Sequence, residues 1–175
     1  MASTSLETTS IADRYEREEV LAAPRARVWA ALTEPDQLAA WFATPTYALE
    51  AGGSGMLRFR VDDGNEEENR VEVVAVEPPH RFAFRWRSHG DDPAIPLAET
   101  PNTLVEITLS DAPGGTRIRV VESGFAALPE DIGATALRDN TRGWGEVLGN
   151  LATFLDGSSR AGDLASDAKP PTAAD

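Results

Sequence analysis

Sixteen residues near the end of the chain, Asn140 to Leu155 (NTRGWGEVLGNLATFL), constrain the fold more than any other stretch. Trp144, Leu148, Leu151 and Leu155 fall at i, i+4, i+7 and i+11, with Val147 and Phe154 beside them. That spacing is the wide apolar stripe of one amphipathic helix. Fully burying such side chains stabilises a fold by roughly 1.5–3 kcal/mol each, but only if the rest of the chain supplies a large apolar surface. Gly143, Gly145 and Gly149 each cost about 1 kcal/mol against alanine in a helix interior, so packing and not propensity must hold this helix. Small residues there allow close approach to a sheet, or leave room beside it.

The surface it needs lies upstream. From Thr46 to Gly124 the pattern has period two, in runs divided by Gly, Pro, Asn and Asp, as in an antiparallel meander. Leu57, Phe59 and Val61 alternate with Met56, Arg58 and Arg60; Val71, Val73 and Ala75 with Glu72, Val74 and Val76; Phe82, Phe84 and Trp86 with arginines and Ala83. Val105, Ile107 and Leu109 continue the pattern, and Pro113-Gly114-Gly115 turns the chain into Ile118 and Val120. One face is apolar and the other mostly charged, so the sheet is covered on one side only. Arg58, Arg60, Arg85, Arg87, Arg117 and Arg119 are expected to form a cross-strand lattice on the outer face with Glu72 and Glu106. Breaks at Asp62 to Glu68 and Gly90 to Asn102 are loops, the second able to stand over an opening. Gly52-Gly53-Ser54-Gly55 precedes a strand and not a helix, so it reads as a tight turn and not a phosphate loop.

Before the meander, Tyr15 to Leu21 suits a first strand at or near a sheet edge. Pro24 to Leu32 reads as a short amphipathic helix with Pro24 in its first turn. A second follows, with Thr33 as cap, Pro35 at its first position, Leu38, Trp41 and Phe42 on its apolar side, and Thr44-Pro45 as its end. The order is strand, two short helices, strands, long helix, which is α+β. Residues 1–12 and 157–175 lack bulky apolar pattern and are expected to be disordered, leaving one domain over 13–156.

The chain has 175 residues, no cysteine and two histidines, His80 and His89, both read as turn or loop residues. A disulfide framework and a thiolate or histidine-rich metal site are therefore not expected, nor is a cofactor. The formal charge of −13 opposes nucleic acid and anionic lipid as partners. No signal-peptide core or membrane-length apolar run occurs, and a soluble cytoplasmic protein is expected. GxGxxG after a strand, GxxxxGK[ST], GxSxG and HExxH are absent.

Five segments taken together resemble the START/SRPBCC superfamily in its AHSA-type branch, homologues of an activator of a chaperone ATPase. They are APRARVWAALTEPDQLAAWF (Ala23 to Phe42), GGSGMLRFRV, VEVVAVEPPHRFAFRW (Val71 to Trp86), TLVEITLSDAPGGTRIRVVESGF (Thr103 to Phe125) and GWGEVLGNLATFL. The resemblance implies a Bet v-like helix-grip fold: a curved antiparallel β-sheet wrapped around the C-terminal helix, two short helices after the first strand, and a cavity between sheet and helix. Two positions depart from the family pattern. Many relatives carry His where this chain has Glu122, and Glu67-Glu68-Asn69-Arg70 replaces a Gly-containing strand entry.

Glu122 shares strand parity with Ile118 and Val120 and so points toward the apolar face. It is either a sheet-end carboxylate that reaches solvent or pairs with arginine, or a cavity carboxylate that orients a ligand or acts as general acid/base. Trp41, Phe42, Phe59, Phe84, Trp86, Trp144, Leu148 and Leu151 are the candidate lining, where aromatic side chains serve core and ligand alike. Three functions compete. The first is binding of a small hydrophobic or amphipathic molecule as carrier, sensor or sequestering protein. The second is stimulation of a chaperone ATPase through the outer surface, with the chaperone or a second copy of the chain as protein partner. The third is a polyketide cyclase-like reaction using Glu122, which needs a further polar cavity group.

Overall fold

The computed structural model describes residues 12–60, 64–87, 92 and 94–166, with side chains through Gly157. The seven strands are β1 (Arg14–Leu21), β2 (Thr44–Pro45), β3 (Ser54–Arg60), β4 (Glu66–Glu77), β5 (Arg81–Arg87), β6 (Thr103–Ala112) and β7 (Gly115–Ser123). They form one antiparallel sheet in the order β1-β7-β6-β5-β4-β3-β2. Helices α1 (Arg25–Thr33) and α2 (Pro35–Trp41) follow β1, and α3 (Glu130–Ser166) closes the chain. This is the helix-grip arrangement. The stripe Trp144, Leu148, Leu151 and Leu155 is buried to 5% exposure or less and packs with Val105, Ile107, Ile118 and Val120 in one core.

Strand β1 lies at the edge, paired only with β7, and its charged outer residues make the ion pairs Arg119–Glu16 (2.6 Å) and Arg117–Glu18 (2.9 Å). The hydrogen bond from Arg119 holds the Glu16 carboxyl below its ordinary value. The outer-face lattice exists, but its acids differ from those expected. Arg58 pairs with Glu68 at 2.6 Å, and Glu106 pairs with Arg81 at 2.8 Å. No ion pair of Glu72, Arg60 or Arg85 is seen among the described residues.

Several local expectations are corrected. Thr33 does not cap α2: its hydroxyl donates back to the Trp29 carbonyl at 2.8 Å, while Glu34 is the N-cap and Pro35 the first helical residue. Pro24 is the N-cap of α1, not its first-turn residue. Alternation along β4 breaks at a bulge between Val73 and Ala75, so Val73 faces Phe84 but Ala75 faces Ala83 and Val76 faces Phe82. The apolar face is therefore carried on by Val76 and not by Ala75. Gly52 has φ +87°, and a Cβ on Gly53 would lie 2.1 Å from the Ala48 carbonyl oxygen, which makes this segment the expected tight turn. His80 sits in the turn before β5, whereas Val61 and His89 lie outside the described residues.

Helix α3 starts ten residues before Asn140, directly after Pro129, and adds half-buried Ile132 and buried Ala136 to the contact. Its backbone continues to Ser166, into the stretch expected to be an unstructured tail, while 1–11 and 167–175 lie outside the described residues. Among the described residues no helix is long and apolar enough to cross a membrane. Residues 94–101 after β5 stand on the outer face of the sheet and not over the helix side. Arg70 holds them there by donating to the Ile95 carbonyl at 2.6 Å, and Arg87 by donating to Pro101 at 2.9 Å.

Candidate functional site

Strand β7 ends its inward-facing row, Ile118 and Val120, on Glu122, which is 0% exposed. The pleat dictates this, because residues two apart share a face. Neither earlier reading of this residue describes what surrounds it. It does not reach solvent and pairs with no arginine. Oε1 accepts hydrogen bonds from Trp86 Nε1 at 2.8 Å, Thr103 Oγ1 at 2.6 Å and Asn140 Nδ2 at 2.9 Å. Oε2 accepts from Trp144 Nε1 at 2.8 Å. Two strands and the long helix thus converge on one carboxylate, whose lone pairs are engaged by four neutral donors.

The consequence is mechanical. Trp86 on β5 and Trp144 on α3, both nearly buried, have their indoles pinned through the same group, with ring centroids 6.1 Å apart. Phe59 lies 6.4 Å from Trp86, and Phe42 lies 5.1 Å from Phe59, edge to face. These four aromatic rings floor an open cleft of about 350 Å³ between the β3–β4 end of the sheet and α3, with Gly143 and Val147 on the helix side. Its rim is polar and amphoteric: Arg60, Glu67, Asn69, Asp139 and Asn140. Glu67 stands opposite Phe59 in the β3–β4 register, which is why it reaches the cleft side of the sheet.

A second space lies deeper, under α1 and α2. It holds only about 20 Å³, room for one water-sized body, and its walls include Trp41, Phe42, Phe84, Tyr47, Trp144 and Leu148. The cavity expected between sheet and helix is therefore divided into a filled interior and an open cleft. Of the candidate residues, Phe42, Phe59, Trp86 and Trp144 line the cleft, while Trp41, Phe84 and Leu148 face the inner space. Leu151, at 0% exposure, is core, and Glu122 stands behind the tryptophans.

The three helix glycines play different parts. Gly149 is exposed, and Gly145 faces Arg17, whose Nη1 would lie 3.1 Å from an added Cβ. Gly143 alone of the three lines the cleft, and a Cβ there meets nothing within 4 Å. Sequence reading missed Asn140, Thr103 and the rim. The polar residue one turn before Trp144 was the available signal for Asn140, since i and i+4 share a helix face. Among the described residues no group of His, Asp and Glu could hold a metal ion.

Residues 22–156 match the model of the family described as activator of Hsp90 ATPase homolog 1-like protein. No curated protein matches the chain. Among solved structures, a protein of Mesorhizobium loti, MLL2253, is 26% identical with a TM-score of 0.65, over 82% of this chain and 96% of that one. DynU16, a protein in the dynemicin biosynthetic locus, is 28% identical with a TM-score of 0.64; 83% of this chain is covered and 48% of that one. CalU16 from Micromonospora echinospora, 24% identical with a TM-score of 0.60 over 85% of this chain and 79% of that one, shares the fold.

Proposed function

The chain belongs to the family of activator of Hsp90 ATPase homolog 1-like proteins, and on that footing we propose that it binds a small amphipathic molecule in the cleft between β3–β4 and α3. The observation that carries this is the 350 Å³ cleft, floored by Phe42, Phe59, Trp86 and Trp144 and rimmed by charged and amide groups. Small-molecule sites combine such apolar walls with a few polar groups that fix orientation. Pinning both indoles through Glu122 presents a preformed surface, so little ordering cost remains at binding. The likeness to DynU16, from a biosynthetic locus, supports a small-molecule role. An enzymatic role for Glu122 draws no support from the geometry, because its oxygens are already engaged by four protein donors.

Titration with the neutral fluorophore 6-propionyl-2-dimethylaminonaphthalene tests this reading. The probe is expected to bind one to one and quench tryptophan emission. Gly143→Leu, which fills the cleft from α3, is expected to weaken it roughly tenfold, the loss of about 1.4 kcal/mol. No binding by the wild-type protein, or equal affinity in Gly143→Leu, overturns it. The family description supports a second reading, stimulation of the ATPase of an Hsp90-type chaperone. A steady-state ATPase assay with purified chaperone, unchanged on adding this protein, removes that reading.

A further inference from the structure

Resting on the cleft reading above, we infer that Phe42 determines ligand length: it is the movable partition between the cleft and the inner space, and its displacement admits an uncharged apolar tail. The ligand class is then a flat aromatic head, seated on the cleft floor, with a short unbranched tail directed under α1 and α2.

Phe42 and Trp144 are the two side chains that line both spaces. They are held differently. Trp144 is fixed by its hydrogen bond to Glu122 at 2.8 Å, and the neighbouring Trp41 by one to the Ala31 carbonyl at 2.9 Å. Phe42 has no such tether. Its ring is positioned by contact with other rings: Trp41 stacked at 5.4 Å, Phe59 edge-on at 5.1 Å and Trp144 at 6.3 Å. It sits at the C-cap of the seven-residue α2, with φ −129° and ψ −79°, outside the helical region. Rotation about its side-chain bonds breaks no hydrogen bond.

Behind the ring the walls are apolar, chiefly Leu38, Leu57, Phe84, Ile107 and Leu148, and their space is too small in the closed form for more than a water-sized body. Room for a tail therefore comes from the volume that the Phe42 ring vacates. A dry apolar cavity of about 150 Å³ accepts benzene, so a space of ring size is enough for a few methylenes. Half-buried Tyr47 is the titratable residue on this wall. Burial pushes its phenol well above the usual range, so it stays neutral and the inner space carries no charge.

Two probes with one head and different tails test this: 6-propionyl- and 6-hexanoyl-2-dimethylaminonaphthalene. Each fully buried methylene is worth about fourfold in affinity. Phe42→Ala removes a cleft contact, so the propionyl probe weakens, while the hexanoyl probe gains a path inward. The hexanoyl-to-propionyl affinity ratio is expected to rise at least tenfold over wild type, by less in Phe42→Leu, and to fall below wild type in Phe42→Trp. A ratio unchanged in all three variants, with both probes moving together, makes Phe42 plain cleft wall and overturns the inference while leaving the cleft reading intact. Failure of the propionyl probe to bind wild type overturns both. If Phe42→Ala does not fold, as shown by its thermal melt, Phe42→Leu and Phe42→Trp decide the question.

Discussion

A buried carboxyl group is an expensive residue, and Glu122 offsets its desolvation with four hydrogen bonds from neutral donors and, among the described residues, no ion pair. Because each partner donates, glutamine is a poor substitute despite its shape. Its carbonyl can keep the place of Oε1, but its amide then points N–H groups at the Trp144 N–H. Glu122→Gln is expected to cost roughly 1–3 kcal/mol, the penalty of a buried donor left unpaired, and to change the near-ultraviolet circular dichroism of the tryptophans. A urea melt showing less than about 0.5 kcal/mol would mean that the indoles are held by packing alone. Strand parity was enough to point Glu122 inward. Its partners were not legible, because they come from β5, β6 and α3, and nothing in local spacing announces that three distant segments meet.

At the level of elements, the face of α3 was legible because four large apolar residues repeat at helical spacing with nothing to contradict them. The start of that helix was not. Residues 130–139 carry only Ile132, Ala136 and Leu137 as apolar signals beyond Ala134, too sparse a stripe to read, and Pro129 stands just outside the first turn. The β4 bulge was hidden for the opposite reason. Val73, Val74, Ala75 and Val76 are all apolar, so a one-residue slip leaves no mark in the pattern. Gly143, Gly145 and Gly149 read alike in the sequence because glycine reports a missing side chain but not which way the position faces, and of the three Gly143 lines the cleft. The weight of the stripe is testable: Trp144→Ala should cost about 3–5 kcal/mol as a large-to-small core change. Chemical denaturation giving under 1 kcal/mol would mean that α3 does not cover the sheet.

For the whole molecule, the last buried core side chain among the described residues is Leu155, and β1 begins at Arg14. A fragment spanning 12–157 is therefore expected to melt within about 8 °C of the full chain, since a domain of this size loses roughly 2–4 °C per kcal/mol. A larger drop in a calorimetric scan would show that the helical turns to Ser166 or the terminal segments hold the fold. The Glu122 cluster has a further consequence for how the two layers assemble. An apolar stripe tolerates sliding, because Trp144, Leu148, Leu151 and Leu155 offer similar surfaces one turn apart. Asn140 and Trp144 are themselves one turn apart, and both must arrive at a single carboxylate. Sliding α3 by a turn in one direction presents Leu148 where the Trp144 donor belongs, and in the other presents Ala136 where the Asn140 donor belongs. The first slip leaves Oε2 without its donor in the interior, and the second takes from Oε1 one of its three donors. Glu122 is thus a key that fixes the axial register of the helix in its grip, a task that hydrophobic packing by itself performs poorly.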